Sequence, residues 1–528
     1  MLGALAAARA EAQRSPTRVA PWRPVVIGSA ADERTQDARL LGDSTRGRSL
    51  MRSPSDARDE TLAAGGALGV HVLAPDVVVI TNSALPSALN EGALWAGRGT
   101  SALVRVGATL QRGRFRAVLW PEFTYAQNRA FDIRADTQPG RSPYAWPWAS
   151  GRSNIDLPSR FGDRPRRVFT LGQSSLTMDA GPVSVGVATE NEWWGPGVRD
   201  ALLLSNAADG FPHAFVRTRR PLHTRVGTIE ARYLAGTLLP STFADTNAAT
   251  RRRAFAGVAA SLRPWFAPEL TVGIARTSIA PTNSASGVVS RAADPLVRWE
   301  TLPARADAPK PRADQYTSLF GRWLVPRAHA EVYGEWARQY APRSLREMIL
   351  FPQADRALTL GLQAARPIGA PSTHTRAVRT QLEFTNLEQS ITFRDRPVPP
   401  PFYTGLATVD GYTNRGLPLG AAIGPGGSRQ WLAVDLLGDE RRVGLFVSRT
   451  RWNNDALYDQ PNPTFLKHDV SASVGARALT RVAASDVAID VAWSRRDNYL
   501  FQNGFANPGG FRTVDVSNVM LALHVTSR

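Results

Sequence analysis

Residues 484–495 read Ala-Ser-Asp-Val-Ala-Ile-Asp-Val-Ala-Trp-Ser-Arg. Val487, Ile489, Val491 and Trp493 fall on one side of an extended chain, and Asp486, Asp490 and Ser494 on the other. Alternation with period two marks a strand with one apolar and one polar face. The same pattern recurs at 328–338, where Ala328, Ala330, Val332, Gly334 and Trp336 oppose His329, Glu331, Tyr333 and Glu335. It recurs again at 376–388 (Val378, Leu382 and Phe384 against Arg379, Gln381, Glu383 and Thr385) and at 467–478 (Val470, Ala472, Val474 and Ala476 against Ser471, Ser473 and Arg477).

About eighteen such segments can be counted between residue 70 and the C-terminus. Their connections alternate in length. Gln111 to Gly113, Asp179 to Gly181 and Gly438 to Glu440 are short, whereas about forty residues follow the third segment, and 451–466 and 497–512 are long. Only the 367–375 link is intermediate. One end of the sheet therefore carries tight turns and the other the long loops. A soluble sandwich or propeller, the competing all-β reading, gives no reason for that sorting. A bacterial outer-membrane barrel does, with short periplasmic turns, long extracellular loops and strands of about ten alternating residues. The expectation is an all-β, closed antiparallel transmembrane barrel of about eighteen strands, polar side to the lumen and apolar side to lipid, because closure pairs the backbone groups that hydrocarbon cannot solvate. Trp336 and Trp493 sit late in their strands, where interfacial aromatics belong.

Composition agrees. The chain has 528 residues, 43% hydrophobic, with 14 Trp, 10 Tyr and 20 Phe, too many for a disordered chain. No charge-free apolar run reaches the ~18 residues that a membrane helix needs. Absence of Cys excludes disulfides, thiolate metal sites and a Cys nucleophile, and suits an oxidising compartment. The net charge of +18 comes almost wholly from Arg, since Lys310 and Lys467 are the only lysines. The arginines are scattered and form no stripe, so no nucleic-acid partner is expected; a diffuse positive charge suits an anionic polysaccharide or lipid head group.

Three parts are expected. Residues 1–13 end in two overlapping Ala-x-Ala patterns and read as the remnant of a secretory signal, or else as a flexible arm. Residues 14–69, rich in Arg, Asp and Ser, read as a small N-terminal periplasmic segment with a short helix at 33–42, or else as a disordered leader. Residues 70–528 form the barrel.

Aromatic and charged motifs gather in the long connections. The first holds Asn90-Glu91-Gly92-Ala93-Leu94-Trp95-Ala96-Gly97-Arg98-Gly99, and the second Tyr144-Ala145-Trp146-Pro147-Trp148. The third holds Glu190-Asn191-Glu192-Trp193-Trp194-Gly195-Pro196-Gly197, then Ser205-Asn206 and Phe211-Pro212. The seventh runs Tyr412-Thr413-Asn414-Arg415-Gly416-Leu417-Pro418-Leu419-Gly420, followed by Ile423-Gly424-Pro425.

At these residues the chain resembles the capsule assembly Wzi family over roughly 85–528, with Asn414 where the usual pattern has His. The resemblance implies an outer-membrane barrel of about eighteen strands with an N-terminal periplasmic helical part, not known as an enzyme, that binds capsular polysaccharide at the cell surface in the manner of a lectin. Two features depart from it: the N-terminal part is reduced, and Val525-Thr526-Ser527-Arg528 lacks a terminal aromatic.

The loop chemistry suits glycans on its own terms. Indoles offer a flat apolar face and an N–H donor, and Arg and Asn offer forked or planar donors for hydroxyls and carboxylates. The candidate polysaccharide contacts are Trp95, Arg98, Trp146, Trp148, Asn191, Trp193, Trp194, Arg199, Tyr412, Asn414 and Arg415. For Trp193 and Trp194 the competing reading is a structural lock, with Gly195 and Gly197 allowing positive φ and Pro196 fixing a turn. Glu190 and Glu192, two apart on one strand face, have the spacing of a glycosidase pair. The seven His show no ligand spacing, and there is neither a phosphate loop nor a Gly-x-Ser-x-Gly elbow, so neither metal nor cofactor is expected. Lumen charges such as Glu230, Arg232, Glu331, Glu335, Arg379, Glu383, Asp486 and Asp490 read as a solvated, mutually paired interior, or as the lining of a diffusion pore. The expectation for function is a monomeric, non-catalytic polysaccharide-binding protein of the outer membrane, in contact with its lipid, with loops extracellular and termini periplasmic. A porin or uptake channel is the alternative, and a surface glycosidase a third.

Overall fold

The computed structural model describes residues 24–42, 49–56, 68–88, 90–136, 138–149, 154–244, 252–303, 308–368, 376–389, 400–438, 440–459, 467–483, 485–501, 503–504 and 512–527. The expected signal remnant at 1–13 lies outside them.

Eighteen antiparallel strands close into one barrel. They are β1 (Gly69–Asn82), β2 (Gly99–Arg112), β3 (Phe115–Leu119, continuing as Glu122–Ala126), β4 (Arg166–Thr170, continuing as Ser175–Ala180), β5 (Val183–Ala188), β6 (His213–Thr218), β7 (Gly227–Leu238), β8 (Arg252–Pro264) and β9 (Leu270–Thr282). The second half is β10 (Asp314–Val325), β11 (Ala330–Arg338), β12 (Arg356–Ile368), β13 (Arg376–Asn386), β14 (Ser428–Leu437), β15 (Arg442–Arg451), β16 (Val470–Val482), β17 (Ser485–Asp497) and β18 (Val516–Ser527). Each pairs with its neighbour in sequence, and β1 closes the cylinder on β18 through Asp76↔Thr526 to Asn82↔Met520. Among the described residues no helix is long and apolar enough to cross a membrane.

The period-two reading carries over to burial. Ile489, Val491 and Trp493 on β17, Val443 and Leu445 on β15 and Val332 on β11 point outward and are exposed. Glu331, Tyr333 and Glu335 on β11, Arg379 and Glu383 on β13, and Asp486 on β17 point inward and are buried. Aromatics mark both borders of the outer band: Trp493 is exposed near the long-loop end, and Trp265, Phe266 and Trp323 near the short-turn end.

The interior is not the solvated lumen expected. A helix, α1 (Ala30–Leu40), lies inside the barrel against its charged wall. It starts at Ser29, whose hydroxyl caps the Asp32 amide at 3.3 Å, and carries Asp32 and Glu33 in its first turn, where the helix dipole favours acids. The helix expected at 33–42 in a small periplasmic segment thus starts three residues earlier and supplies a plug. The reason is electrostatic: inward-facing charges on the wall need partners once water is excluded, and α1 supplies them. Arg39 grips Glu331 at 2.7 and 2.8 Å, and Arg34 reaches Asp486 at 3.3 Å. Asp37 pairs with Arg379, which also holds Asp435 at 2.8 Å. Glu33 meets Arg199, Arg379, Arg442 and Arg477. Burial disfavours its charge, but the four guanidiniums outweigh burial and hold its carboxyl well below the usual carboxylate range.

Replacing Glu33 with Gln leaves three buried arginines and the partly exposed Arg199 short of a counter-charge, at a cost of about 3–5 kcal/mol. Amide exchange over residues 30–40 is therefore expected to rise by roughly two orders of magnitude while the barrel itself stays protected. Because the folded carboxyl titrates below its ordinary value of 4.5, its contribution is fully present above that value and is lost as pH falls below it. Exchange corrected for its intrinsic pH dependence should then rise in acid for the wild type and stay flat for Glu33→Gln.

Candidate functional site

The long connections all emerge at one end of the barrel, opposite the tight turns such as Gly113-Arg114 and Gly181-Pro182. At that end the third connection (189–212) folds down into the lumen. Trp193 and Trp194 are fully buried and pair, as a two-residue strand, with Arg52 and Met51. The Trp193 indole donates to the Gly197 carbonyl at 3.1 Å, and that of Trp194 to Glu192 at 3.1 Å. The turn that follows is bolted to the wall. Glu383 on β13 accepts from the amides of Val198, Arg199 and Asp200 at 2.8, 3.0 and 2.9 Å, and from the Tyr333 hydroxyl at 2.7 Å. Glu335 on β11 accepts from the Leu202 amide at 3.1 Å. Gly195 has φ +131°, and a Cβ there would lie 2.6 Å from the Glu335 carboxylate. Gly197, expected to allow positive φ, instead owes its place to closeness: a Cβ would lie 1.9 Å from the Asp200 carbonyl oxygen.

The motif-bearing loops are locked to one another as well as to the wall. Asn206 donates to the Asn90 carbonyl at 2.8 Å, and Asn90 donates to the Arg199 carbonyl at 2.7 Å, joining the first loop to the third. Ser205 donates to the Gly420 carbonyl at 2.6 Å, and Asn414 to the Asp209 carboxylate at 3.1 Å, joining the third to the seventh. Tyr412 stacks on Tyr403, centroids 5.4 Å apart and planes 10° apart, and shares a 3.0 Å hydrogen bond with Thr277 of β9. Around these rings lies the largest apolar cluster, including Trp146, Trp148, Phe161, Leu202, Phe211 and Phe402. The core of this protein is the plugged mouth of its barrel.

Most of the expected sugar contacts are therefore spent on packing. Trp146, Trp148, Asn191, Trp193, Trp194, Tyr412 and Asn414, expected at the glycan surface, are buried in this structure, Trp146 and Trp148 against a small cavity beside Pro401 and Asn453. The structural lock is the reading that fits Trp193 and Trp194. Asn191 is consumed by Gln173 and the Ala208 carbonyl, both at 2.8 Å. Arg199 points down to Glu33 with its guanidinium 4.7 Å from the Trp431 ring centroid, so it too is structural. Three candidates keep some exposure. Arg98 donates to the carbonyls of Ala130 at 2.6 Å and Ser83 at 3.2 Å. Arg415 is about one-third exposed and lies 3.4 Å from Asp209. Trp95 is half-buried against Phe161. Burial pushes the Asp209 carboxyl up to about 6, against the pull of Arg415 and Arg166.

The paired glutamates are locked. Glu190 accepts from the Ser55 amide at 2.9 Å, the Ser55 hydroxyl at 2.6 Å and Arg217 at 3.2 Å. Burial pushes Glu192 up to about 7 against Arg232 and Arg217, as a general acid requires. Yet its carboxylate is taken by Trp194 and by Arg232 at 3.0 Å, beneath the plug. Among the described residues no group of acids and histidines is arranged to hold a metal ion.

The family described as capsule assembly protein Wzi matches residues 86–507. The chain belongs to this family. The match spans the first, third and seventh loops, whose mutual hydrogen bonds make the plug. A Wzi of Escherichia coli, described as an outer-membrane protein involved in group 1 capsule assembly and a carbohydrate-binding β-barrel, is similar in fold at 14% identity and TM-score 0.52, over 86% of this chain and 84% of that one. OccAB2 of Acinetobacter baumannii aligns over 87% of this chain and 97% of its own at 9% identity and TM-score 0.41, too distant to compare sites. No curated sequence matches. The protein is thus a Wzi-family barrel of the outer-membrane type.

Sequence reasoning placed Glu335 and Glu383 among lumen charges but missed that they anchor the WWGPG loop. Their positions, each four residues after an inward Glu331 or Arg379, give the face, not the partner.

Glu383→Ala removes the acceptor for three backbone amides, each buried donor costing about 1–3 kcal/mol. Limited proteolysis should then cut within 189–212 much faster than in the wild type, with the closed barrel still showing heat-modifiable migration. Equal cutting rates would contradict the anchoring role.

Proposed function

We propose that this Wzi-family barrel binds polysaccharide at the cell surface with the loops at its long-loop end and helps attach or assemble a capsule there, without catalysis. The long loops then face the outside, and the tight turns and both ends of the barrel chain face the periplasm. The observation that carries the reading is the match of the family over the very loops that interlock, together with a lumen filled by α1, residues 49–56 and those loops. A filled barrel has its exposed loop surface to work with rather than a passage. The E. coli relative of the same fold is described as carbohydrate-binding and involved in capsule assembly, which supports the same class of ligand here.

The accessible donors are Arg98 and Arg415, with Trp95 beside Phe161 as the apolar element. Guanidinium forks suit uronate or other acidic sugars better than neutral ones. The glycosidase reading has little to draw on, because Glu190 and Glu192 are engaged by arginines below the plug. The channel reading has less to draw on, because α1 and the third loop lie within the barrel and are tied to its wall.

Replacing Arg98 and Arg415 together with Ala should lower polysaccharide retained on cells, with affinity falling roughly tenfold for each charge-assisted hydrogen bond lost. Barrel assembly, read by heat-modifiable migration in the outer-membrane fraction, should not change. Full retention by an assembled double variant would contradict the assignment.

A further inference from the structure

The outer wall carries a feature that neither the plug nor the loop mouth uses. On β9, Val272 and Ile274 are exposed, but Arg276, Ser278 and Ala280, which continue the same outward face, are buried. On β10 Leu319 is exposed and Gln315 buried; on β11 Val332 is exposed and Arg338 buried. Something outside the barrel covers this polar strip. It is the fifth loop, with α2 (Ala285–Arg291) and the helical turn Asp294–Val297 lying on β8 and β9. Tyr233, outward on β7, donates to the Ala292 carbonyl at 2.8 Å. Arg276 donates to the Pro295 carbonyl at 2.8 Å and to Gln315 at 2.9 Å, with its guanidinium 3.5 Å from the Trp299 ring centroid. The sixth loop joins through the Ala341 amide, which donates to the Glu300 carbonyl at 2.9 Å, and brings α3 (Leu345–Leu350).

The two loops form an apron whose outer surface is apolar. Val289 and Val297 are 75% and 68% exposed, and Leu345 and Ile349 are 73% and 69%. Leu345, Met348 and Ile349 share one face of α3, at helical spacing. This surface continues the outward band of Ile274, Leu319 and Val332 upward toward the loop end. Beside it opens a groove of about 560 Å3 lined by Arg298, Trp299, Glu300, Lys310, Arg312 and Arg343. Arg298 and Arg343 have acidic partners, Asp294 at 3.2 Å and Glu347 at 3.1 Å. The side chains of Lys310 and Arg312 are exposed and have no acidic partner among the described residues.

We propose that the apron docks an anionic glycolipid of the outer leaflet, its acyl chains on Val297 and Ile349 and its phosphorylated sugar head in the groove at Lys310 and Arg312. Continuity with the band that faces hydrocarbon selects a lipid over a protein. The two unpartnered cations beside exposed apolar side chains select an anionic head over a neutral one. Trp299 stands at the join of the two surfaces, the usual depth for an interfacial indole. The polar side chains of Arg276, Gln315 and Arg338 are shielded from acyl chains by the apron itself, which accounts for arginines on the outward face of a membrane barrel. The inference rests on the loops-outward orientation proposed above, but not on polysaccharide binding at the loop mouth.

The test uses the full chain in detergent with two probes, bis-phosphorylated lipid A and the same lipid dephosphorylated, with bound lipid counted by native mass spectrometry. The wild type should retain the phosphorylated form at least about tenfold more strongly. Lys310→Glu with Arg312→Glu should abolish that preference, and Val297→Ser with Ile349→Ser should weaken both forms. Equal retention of the two lipids by the wild type overturns the proposal without any variant. So does a charge-reversal variant that keeps its lipid preference but loses soluble acidic polysaccharide, which would make the groove a glycan site. Unchanged lipid retention by the Val297/Ile349 variant, with loss of a co-purifying protein, would make the apron a protein interface and overturn it equally.

Discussion

A barrel of eighteen strands encloses more room than its own side chains fill, and what it encloses here is charge. The cluster of Glu33, Asp37 and Asp435 with Arg379, Arg442 and Arg477 is the constraint on which the rest depends. All three arginines stand on the wall and would be tolerable in a water-filled pore. Once the WWGPG loop and its neighbours seal the mouth, water no longer screens them, and the acids of α1 must stand in. Such pairs contribute little net stability relative to apolar packing, but removing one partner is costly. That asymmetry favours specificity: the plug helix has one position in which every charge is met.

Sealing the mouth also decides the fate of the motifs. The Asn90, Asn206, Asn414 and Ser205 side chains each serve a backbone group of a different loop, so the family's signature stretches act as clasps. Indoles and tyrosines that chemistry makes suitable for sugars are equally suitable for a dry loop core, and here the core claims them. What is left for recognition is the outer surface of those loops, where Arg98 and Arg415 remain reachable.

The fold was largely legible in the sequence, because lipid imposes a period-two code along every strand and a sorting of connections by length. Residues 485–495 and 330–336 read the same in the structure as in the alternation of their side chains, whereas Ala328 and His329, read as strand, lie in the turn before it. The inside was less legible. Alternation tells that Glu331 and Arg379 point inward, but not whether water, α1 or a loop meets them. The helix's place inside the barrel is not legible, because 14–69 shows charge without a strand pattern and a plug made of ion pairs leaves no apolar stripe to read. The apron was not anticipated either: Arg276 and Arg338 interrupt the outward apolar code near the strand ends, and that interruption was the available signal that something covers the wall there.

If the barrel works at its loop surface, as proposed, it conducts nothing of consequence. Single-channel recording of the full chain in planar bilayers at neutral pH tests it most directly. The account predicts a silent membrane for the wild type and discrete openings when Glu33 and Glu383 are both replaced, since the plug and the mouth loop then lose their anchors. Stable, ohmic openings from the wild type would contradict it.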